Sequence, residues 1–312
     1  MAKSGSKLLD AQRACWFLKH GDPPIFVLLG RLGDEILMFP AYREIWRRTG
    51  HKPEVIVSHE YAQCFEGITY AKAIPVGLHW YDGIPQAKAM AEARGAGCCI
   101  PQWWNSPCPI PQECRGSFTL QCHGRSHGVN LNLWPNFMAS MYERAGFTQQ
   151  EMLRLPLVFD RRNTVREREL VERLWPPAYR KKPLLLYNFT GISSPFGYTP
   201  ELFPVLNRFR QDFHMIDLGQ VRAHRIFDLL SIMEQAVGML HCDSAPLHLA
   251  HATKTPYIAF SAKGWTGSTP RGNVALQVMY DDTPRRLNEI AEVLENWKSC
   301  TCDNSHLVRV PA

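Results

Sequence analysis

Two stretches of the 312-residue chain carry residues whose types and spacing suit chemistry. The first is Arg31-Leu32-Gly33-Asp34, which directly follows five consecutive apolar residues, Ile25 to Leu29. A carboxylate at Asp34 can take the proton from a hydroxyl as that hydroxyl attacks an electrophile. It can equally cap the helix it opens, as aspartate after glycine often does. The second stretch is His241-Cys242-Asp243-Ser244-Ala245-Pro246-Leu247-His248-Leu249-Ala250-His251, after the apolar Val237 to Leu240. It reads as strand, tight turn, helix, with Ser244 as N-cap and Pro246 in the first helical turn. Backbone N–H groups from Ser244 through Ala245 to Leu247 would then leave the carboxyl end of the strand, a geometry that holds anions and above all a diphosphate.

A third polar turn, Asn188-Phe189-Thr190-Gly191-Ile192-Ser193-Ser194, offers N–H groups at Thr190 and Gly191 and hydroxyls at Thr190 and Ser193, to which Ser244 adds a third. Asp243 is read as orienting its turn or binding a sugar hydroxyl, because a carboxylate repels phosphate. His248, one helical turn on, is either a packed helix residue or a ligand contact.

The elements that must position these residues alternate. A lead-in helix is expected over 1–20, a strand over Ile25 to Leu29, and then a helix in which Pro40 should produce a kink or a late start. Strands follow at Glu54 to Val57 and Ala73 to Val76, a helix from Ile84 to Arg94, and a strand at Gly97-Cys98-Cys99-Ile100. From 103 to 135 no period of either kind is sustained, and Trp103-Trp104 with several prolines suggests a functional loop. A helix from about Pro135 to Ala145 and a linker over 146–163 close the first half. The second half opens on a capping box at Thr164-Val165-Arg166-Glu167. Strands are then expected at 183–189, 213–218, 237–242, 257–260 and 276–280. Helices are expected at 200–211, 222–234 and 245–252, and a last one over 284–298 with Thr283 as its cap. The pattern implies an α/β protein of two doubly wound, Rossmann-like domains, 1–157 and 158–312, facing a central cleft.

In Gly33-Asp34-Glu35-Ile36-Leu37-Met38-Phe39-Pro40-Ala41 and in Asp243-Ser244-Ala245-Pro246-Leu247-His248-Leu249-Ala250 the chain resembles the heptosyltransferase-like glycosyltransferases, family 9. The resemblance implies the GT-B fold and an inverting, metal-independent transfer of a sugar from a nucleotide donor to a hydroxyl. Asp34 matches the aspartate proposed as base in that family. The stretches around Thr190, Gly191 and Ser193 and from Asp243 to His248 would hold the nucleotide-sugar, and Arg31, Gly33, Trp103 and Trp104 would meet the acceptor. The sequence departs from the family in two places. Gly191 to Pro200 contains no Lys or Arg, where heptose-transferring members carry a lysine, and Ala245 replaces a glycine. Arg222, Arg225 and Lys263, near the ends of expected strands, are the alternative cations for the donor phosphates.

Charged residues at 21% and hydrophobic ones at 45% are those of an ordinary globular protein, and no apolar run is long enough to cross a membrane. No secretory pattern opens the chain, so a cytoplasmic protein is expected, with peripheral membrane contact left open. The net charge of +6 is spread along the chain with short basic runs such as Arg180-Lys181-Lys182, and by itself selects no partner. No cofactor is expected beyond the nucleotide-sugar co-substrate. Cys98, Cys99, Cys108, Cys114, Cys122, His123 and His127 are numerous enough for a metal site, yet their spacing matches no two-residue knuckle. Three functions stay open at this level: transfer to a lipopolysaccharide or other cell-surface glycan precursor, transfer to a hydroxymethylated base of DNA, and nucleotide binding without catalysis.

Overall fold

The computed structural model describes residues 25–78, 80–95, 98–99, 101, 137–191, 194–262 and 270–299. The lead-in helix expected over 1–20 and the 103–135 segment lie outside them. The chain divides into two compact units, Met1–Arg161 and Arg162–Ala312.

In the first unit β1 (Ile25–Leu28), β2 (Glu54–Ser58), β3 (Lys72–Val76) and β4 (Cys98–Cys99) form a parallel sheet in the order β3-β2-β1-β4. β1 is buried along its whole length, as an all-apolar central parallel strand should be. β3 carries Lys72 and Pro75 and lies at the edge, where a proline disrupts no ladder on its outer side. The helices are α1 (Leu32–Thr49), α2 (Trp80–Ala93), α3 (Phe137–Arg144) and α4 (Gln149–Arg154).

α1 is helical from Leu32 and continues through Pro40, so the late start expected from the sequence does not occur. A proline removes one backbone donor and crowds the carbonyls of the preceding turn. The buried Tyr142 hydroxyl donates to Leu37 O at 2.7 Å, which supplies a hydrogen bond in that turn from outside the helix.

The second unit holds β5 (Leu184–Asn188), β6 (His214–Asp217), β7 (Gly238–Cys242), β8 (Tyr257–Ser261) and β9 (Val274–Met279), all parallel, in the order β6-β5-β7-β8-β9. Its helices are α5 (Thr164–Leu174), α6 (Thr199–Arg208), α7 (Leu230–Gln235), α8 (Ala245–Ala250) and α9 (Leu287–Ser299). One core unites Leu185, Leu240, Ile258 and Phe260 of the sheet with Leu202 and Leu206 of α6 and Ile290, Leu294 and Trp297 of α9.

Gly238 opens β7 directly beneath Trp297, and a Cβ built there would stand 2.1 Å from the indole. Gly238→Ala should therefore cost at least about 1–3 kcal/mol of stability through overpacking. Urea unfolding of the variant checks this, and an unchanged midpoint would show that Trp297 can move aside freely.

Three local expectations change. The cap of α5 is Asn163, whose side chain accepts from Arg166 N at 3.1 Å. Glu167 is fully buried and serves instead as the partner of Arg162 and of the Ser231 hydroxyl. Thr283 and Pro284 belong to a 3-10 turn, Tyr280–Arg285, and α9 begins only at Leu287. The helix expected over 222–234 shrinks to α7 behind a 3-10 turn, Ile226–Leu229. There the Asp228 carboxylate accepts from Arg225 N at 3.2 Å, a local bond that competes with regular helix.

Candidate functional site

In each sheet the strand order reverses beside the unit's first strand, between β1 and β4 and between β5 and β7. Ligands of open α/β sheets bind outside the carboxyl ends of the strands at such switch points. The second unit, with its first strand between second and third, has the flavodoxin-like order to which that rule applies directly.

The segments that follow β5, β6, β7 and β9 meet at the β5/β7 switch. Asn188 ends β5, is 2% exposed, and donates from Nδ2 to Ser244 Oγ at 2.8 Å and to Thr190 O at 3.1 Å. Ser244 Oγ in turn donates to Cys242 O at 3.0 Å. Tyr280, just past β9, accepts from Asp243 N at 3.0 Å and donates to Ser194 O at 3.1 Å, which ties the β5 and β7 loops together. The approach leaves no room for side chains. A Cβ on Gly191 would lie 2.6 Å from Ser194 O and 3.3 Å from Asp243 O. One on Gly219, in the loop after β6, would lie 2.9 Å from Thr190 Oγ1 and 3.0 Å from Asn188 Oδ1.

This geometry revises the roles expected in the turn. Ser244 holds the N-cap position of α8 but makes no side-chain cap bond. Its hydroxyl hydrogen is given to Cys242 O, so it is not a donor to phosphate. Asp243 N–H is given to Tyr280, and Pro246 has no N–H, which leaves the N–H groups of Ala245 and Leu247 in the first turn of α8. The Leu247 and His248 side chains are buried behind the turn, while Thr190 is exposed. Ser193, Lys263, Trp103 and Trp104 lie outside the described residues. Arg225 is not an available phosphate cation: it is 6% exposed, paired with Asp228 at 2.7 Å and set over the Phe227 ring at 4.2 Å. Arg222 is exposed on the loop that leaves β6, with its carbonyl anchored by Arg173 at 2.7 Å.

Behind the turn stand two buried histidines, His241 and His248, and a half-buried third, His251. Burial lowers the pKa of His241 to about 3, and burial together with Arg271 lowers that of His248 to about 3. His251 is lowered by burial, Arg271 and the other two histidines. Asp243 Oδ1 is 3.7 Å from His248 Nε2, too long for a hydrogen bond, and desolvation outweighs its attraction. His251 Nε2 accepts from Arg271 N at 3.2 Å, which assigns its proton to Nδ1. All three rings are neutral at physiological pH.

At the switch point of the first unit, Arg31 is the N-cap of α1 and Gly33 lies in its first turn. Asp34 Oδ2 accepts from Arg31 N at 2.9 Å, so the capping role is realised. Glu35, which the motif alone did not mark, is fully buried, and neither carboxyl oxygen has a hydrogen-bond partner among the described residues. Desolvation, with Asp34 adding to it, raises its pKa well above the ordinary value, which favours the neutral form. An unpartnered buried carboxyl costs about 1–3 kcal/mol. Glu35→Met should recover much of that at neutral pH, as a higher urea midpoint; a lower one would show that Glu35 is held by a favourable contact.

Cys98 and Cys99 form β4, and the other cysteines and histidines of the 98–127 cluster lie outside the described residues. Among the described residues no group of three or more His, Cys, Asp or Glu is arranged to hold a metal ion, and no helix is long and apolar enough to cross a membrane.

With this geometry established, solved structures provide a comparison. The chain is similar to the E. coli ADP-heptose lipopolysaccharide heptosyltransferase II, with a TM-score of 0.54 and 12% identity over 87% of this chain and 99% of that one. It is also similar to a glycosyl transferase family 9 protein from Veillonella parvula, with a TM-score of 0.55 and 13% identity over 89% and 98%. The chain has the GT-B fold. At this identity the likeness is one of fold. No family model and no curated protein matches the sequence. Among GT-B residues that sequence reasoning passed over, Asn188 was visible as a polar residue ending an apolar strand. Tyr280 gave no such signal, because its partners lie 37 and 86 positions away.

Proposed function

We propose that this chain is a glycosyltransferase that moves a sugar from a nucleotide-sugar to an acceptor hydroxyl, with inversion and without a metal ion. The observation that carries the reading is the β5/β7 switch point, where Asn188 is bonded to Ser244, Gly191 packs against Asp243, and Tyr280 bridges Ser194 and Asp243. In this reading the second unit binds the donor. The N–H groups of Ala245 and Leu247 and the Thr190–Gly191 turn meet the diphosphate, and Arg222 supplies the cation that the family's lysine provides elsewhere. Asp243 meets a sugar hydroxyl. Asp34 takes the proton of the acceptor hydroxyl as it attacks the anomeric carbon, and the nucleoside diphosphate leaves with the bonding pair. The likeness to the E. coli ADP-heptose lipopolysaccharide heptosyltransferase II supports a cell-surface glycan precursor as the acceptor class.

A thermal-shift screen against UDP, GDP, ADP and their sugars tests the donor half. A ligand at a hundred times its dissociation constant stabilises by roughly 3 kcal/mol, an upward shift of several degrees. One base should stand out, and Arg222→Ala should weaken its binding about tenfold. A flat screen across all three bases would overturn the reading.

A further inference from the structure

The basic run Arg180-Lys181-Lys182 has no part in the site described above. It lies at the amino end of β5, the opposite end of the strand from Asn188. Arg180 is used internally: it donates to Trp175 O at 3.1 Å and lies 5.6 Å from the Trp175 ring centre. Lys181 and Lys182 instead line a cavity of about 480 Å³ between α6 and the sheet edge formed by β6. Arg210 is the third cation of its rim, with Lys182 Nζ 3.4 Å from Arg210 O. None of the three makes an ion pair with a described residue, and no Asp or Glu lines the cavity. The nearby Asp212 is taken by Lys298 at 3.1 Å.

The walls are aromatic. Tyr179 is 57% exposed and Phe203 is 38% exposed, two of the largest apolar surfaces the described residues leave open. Tyr179 is held as a platform, stacked on His214 with centroids 5.1 Å apart. Tyr187 lies deeper, and its hydroxyl has no hydrogen-bond partner among the described residues. Leu206, Phe213 and Met215 complete an apolar floor. A cavity of this size, apolar below with a few polar groups above, is of ligand-binding type. Cations without counter-ions beside exposed rings are the combination that binds phosphate-linked bases.

We infer that this pocket binds single-stranded nucleic acid, with a base inserted against Tyr187, flanking phosphates on Lys181, Lys182 and Arg210, and neighbouring bases stacked on Tyr179 and Phe203. Two exposed rings and three cations exceed what one base and one phosphate can use, which favours a strand over a free nucleotide. Stacking on protein rings also requires bases released from a duplex. The inference is independent of the transferase reading.

Fluorescence anisotropy of the full chain with a labelled oligothymidylate of about 12 nucleotides tests it. Binding should be saturable and weaken with salt, with a log–log slope near −2, about −0.7 for each of three phosphates. Replacing Lys181, Lys182 and Arg210 together by Gln should remove most of that slope. Tyr179→Ala and Phe203→Ala should each weaken binding roughly 5- to 100-fold and leave the slope in place, a split that general damage to the fold would not produce. The inference is overturned by absence of saturable binding at low salt, by a triple variant that keeps the full slope, or by a mononucleotide that competes as well as the strand. Binding to anionic vesicles that the same substitutions abolish, without strand binding, overturns it in favour of a lipid surface. The thermal shifts given by nucleotide-sugars should be the same in all these variants, so failure here and failure of the donor site are read separately.

Discussion

Asp34→Asn is expected to lower the transfer rate by about 10²- to 10⁴-fold while leaving thermal stability and nucleotide-sugar binding nearly unchanged. The distinction rests on the 2.9 Å bond between Arg31 N and Asp34 Oδ2. An asparagine keeps an oxygen that can accept from Arg31 N–H, so the opening of α1 survives, but it has no basic carboxylate to receive the acceptor's proton. Asp34→Ala loses both functions and should add a stability cost of about 0.5–2 kcal/mol. Measuring rate and unfolding midpoint on both variants separates the roles. If the asparagine variant transfers sugar at the wild-type rate, Asp34 is a cap and nothing more, and the base must be sought elsewhere.

Acid should unfold the second unit well above the range in which carboxylates protonate. His241 and His248 titrate at about 3 in the folded protein, against about 6.5 when unfolded, and His251 is shifted the same way. Between those values the unfolded chain binds more protons than the folded one, so stability rises with pH. It is complete above about 6.5 and is lost as the pH falls below that value. His241 and His248 each contribute up to about 1.4 kcal/mol per pH unit, so together at pH 5 they cost about 4 kcal/mol, a large share of the stability of a domain, and His251 acts in the same direction. Glu35 acts in the opposite sense in the first unit: its raised pKa makes stability fall as the pH rises above its unfolded value. Urea midpoints from pH 7.5 to 5 should fall steeply for the transition of the second unit, and His241→Leu, which replaces a fully buried ring with no hydrogen bond among the described residues, should reduce the slope by one proton. A flat profile over that range would mean that the cluster charges without unfolding.

Much of the architecture was legible as pattern. Apolar runs such as 25–28, 184–188 and 257–261 are strands because a central parallel strand is buried on both faces and tolerates no alternation. The turns after β1, β5 and β7 were legible because polar and small residues interrupt those runs abruptly. Local caps were less so. Thr164 and Glu167 have the capping-box spacing, but the buried Glu167 carboxylate is taken by the half-buried Arg162. The 222–234 segment has helical spacing, yet the Arg225–Asp228 pair breaks its first turns.

The sequence by itself determined that the chain is two α/β units, that Asp34 opens the first helix of one, and that Asp243 to His248 turns from strand to helix in the other, because these depend on local spacing and on the burial preference of short runs. Only the tertiary structure decided the order of strands, and with it which loops share a switch point. It set Asn188 against Ser244 and Tyr280 between Asp243 and Ser194, gave the Ser244 hydroxyl hydrogen to Cys242 O, buried Arg225 in an ion pair, and placed Glu35, His241 and His248 in the interior, where burial disfavours their charged forms. The physical reason is common to all of these. Hydrogen-bond partners and desolvation are fixed by neighbours in space, and those neighbours are brought together by parallel crossovers from positions far apart in the chain.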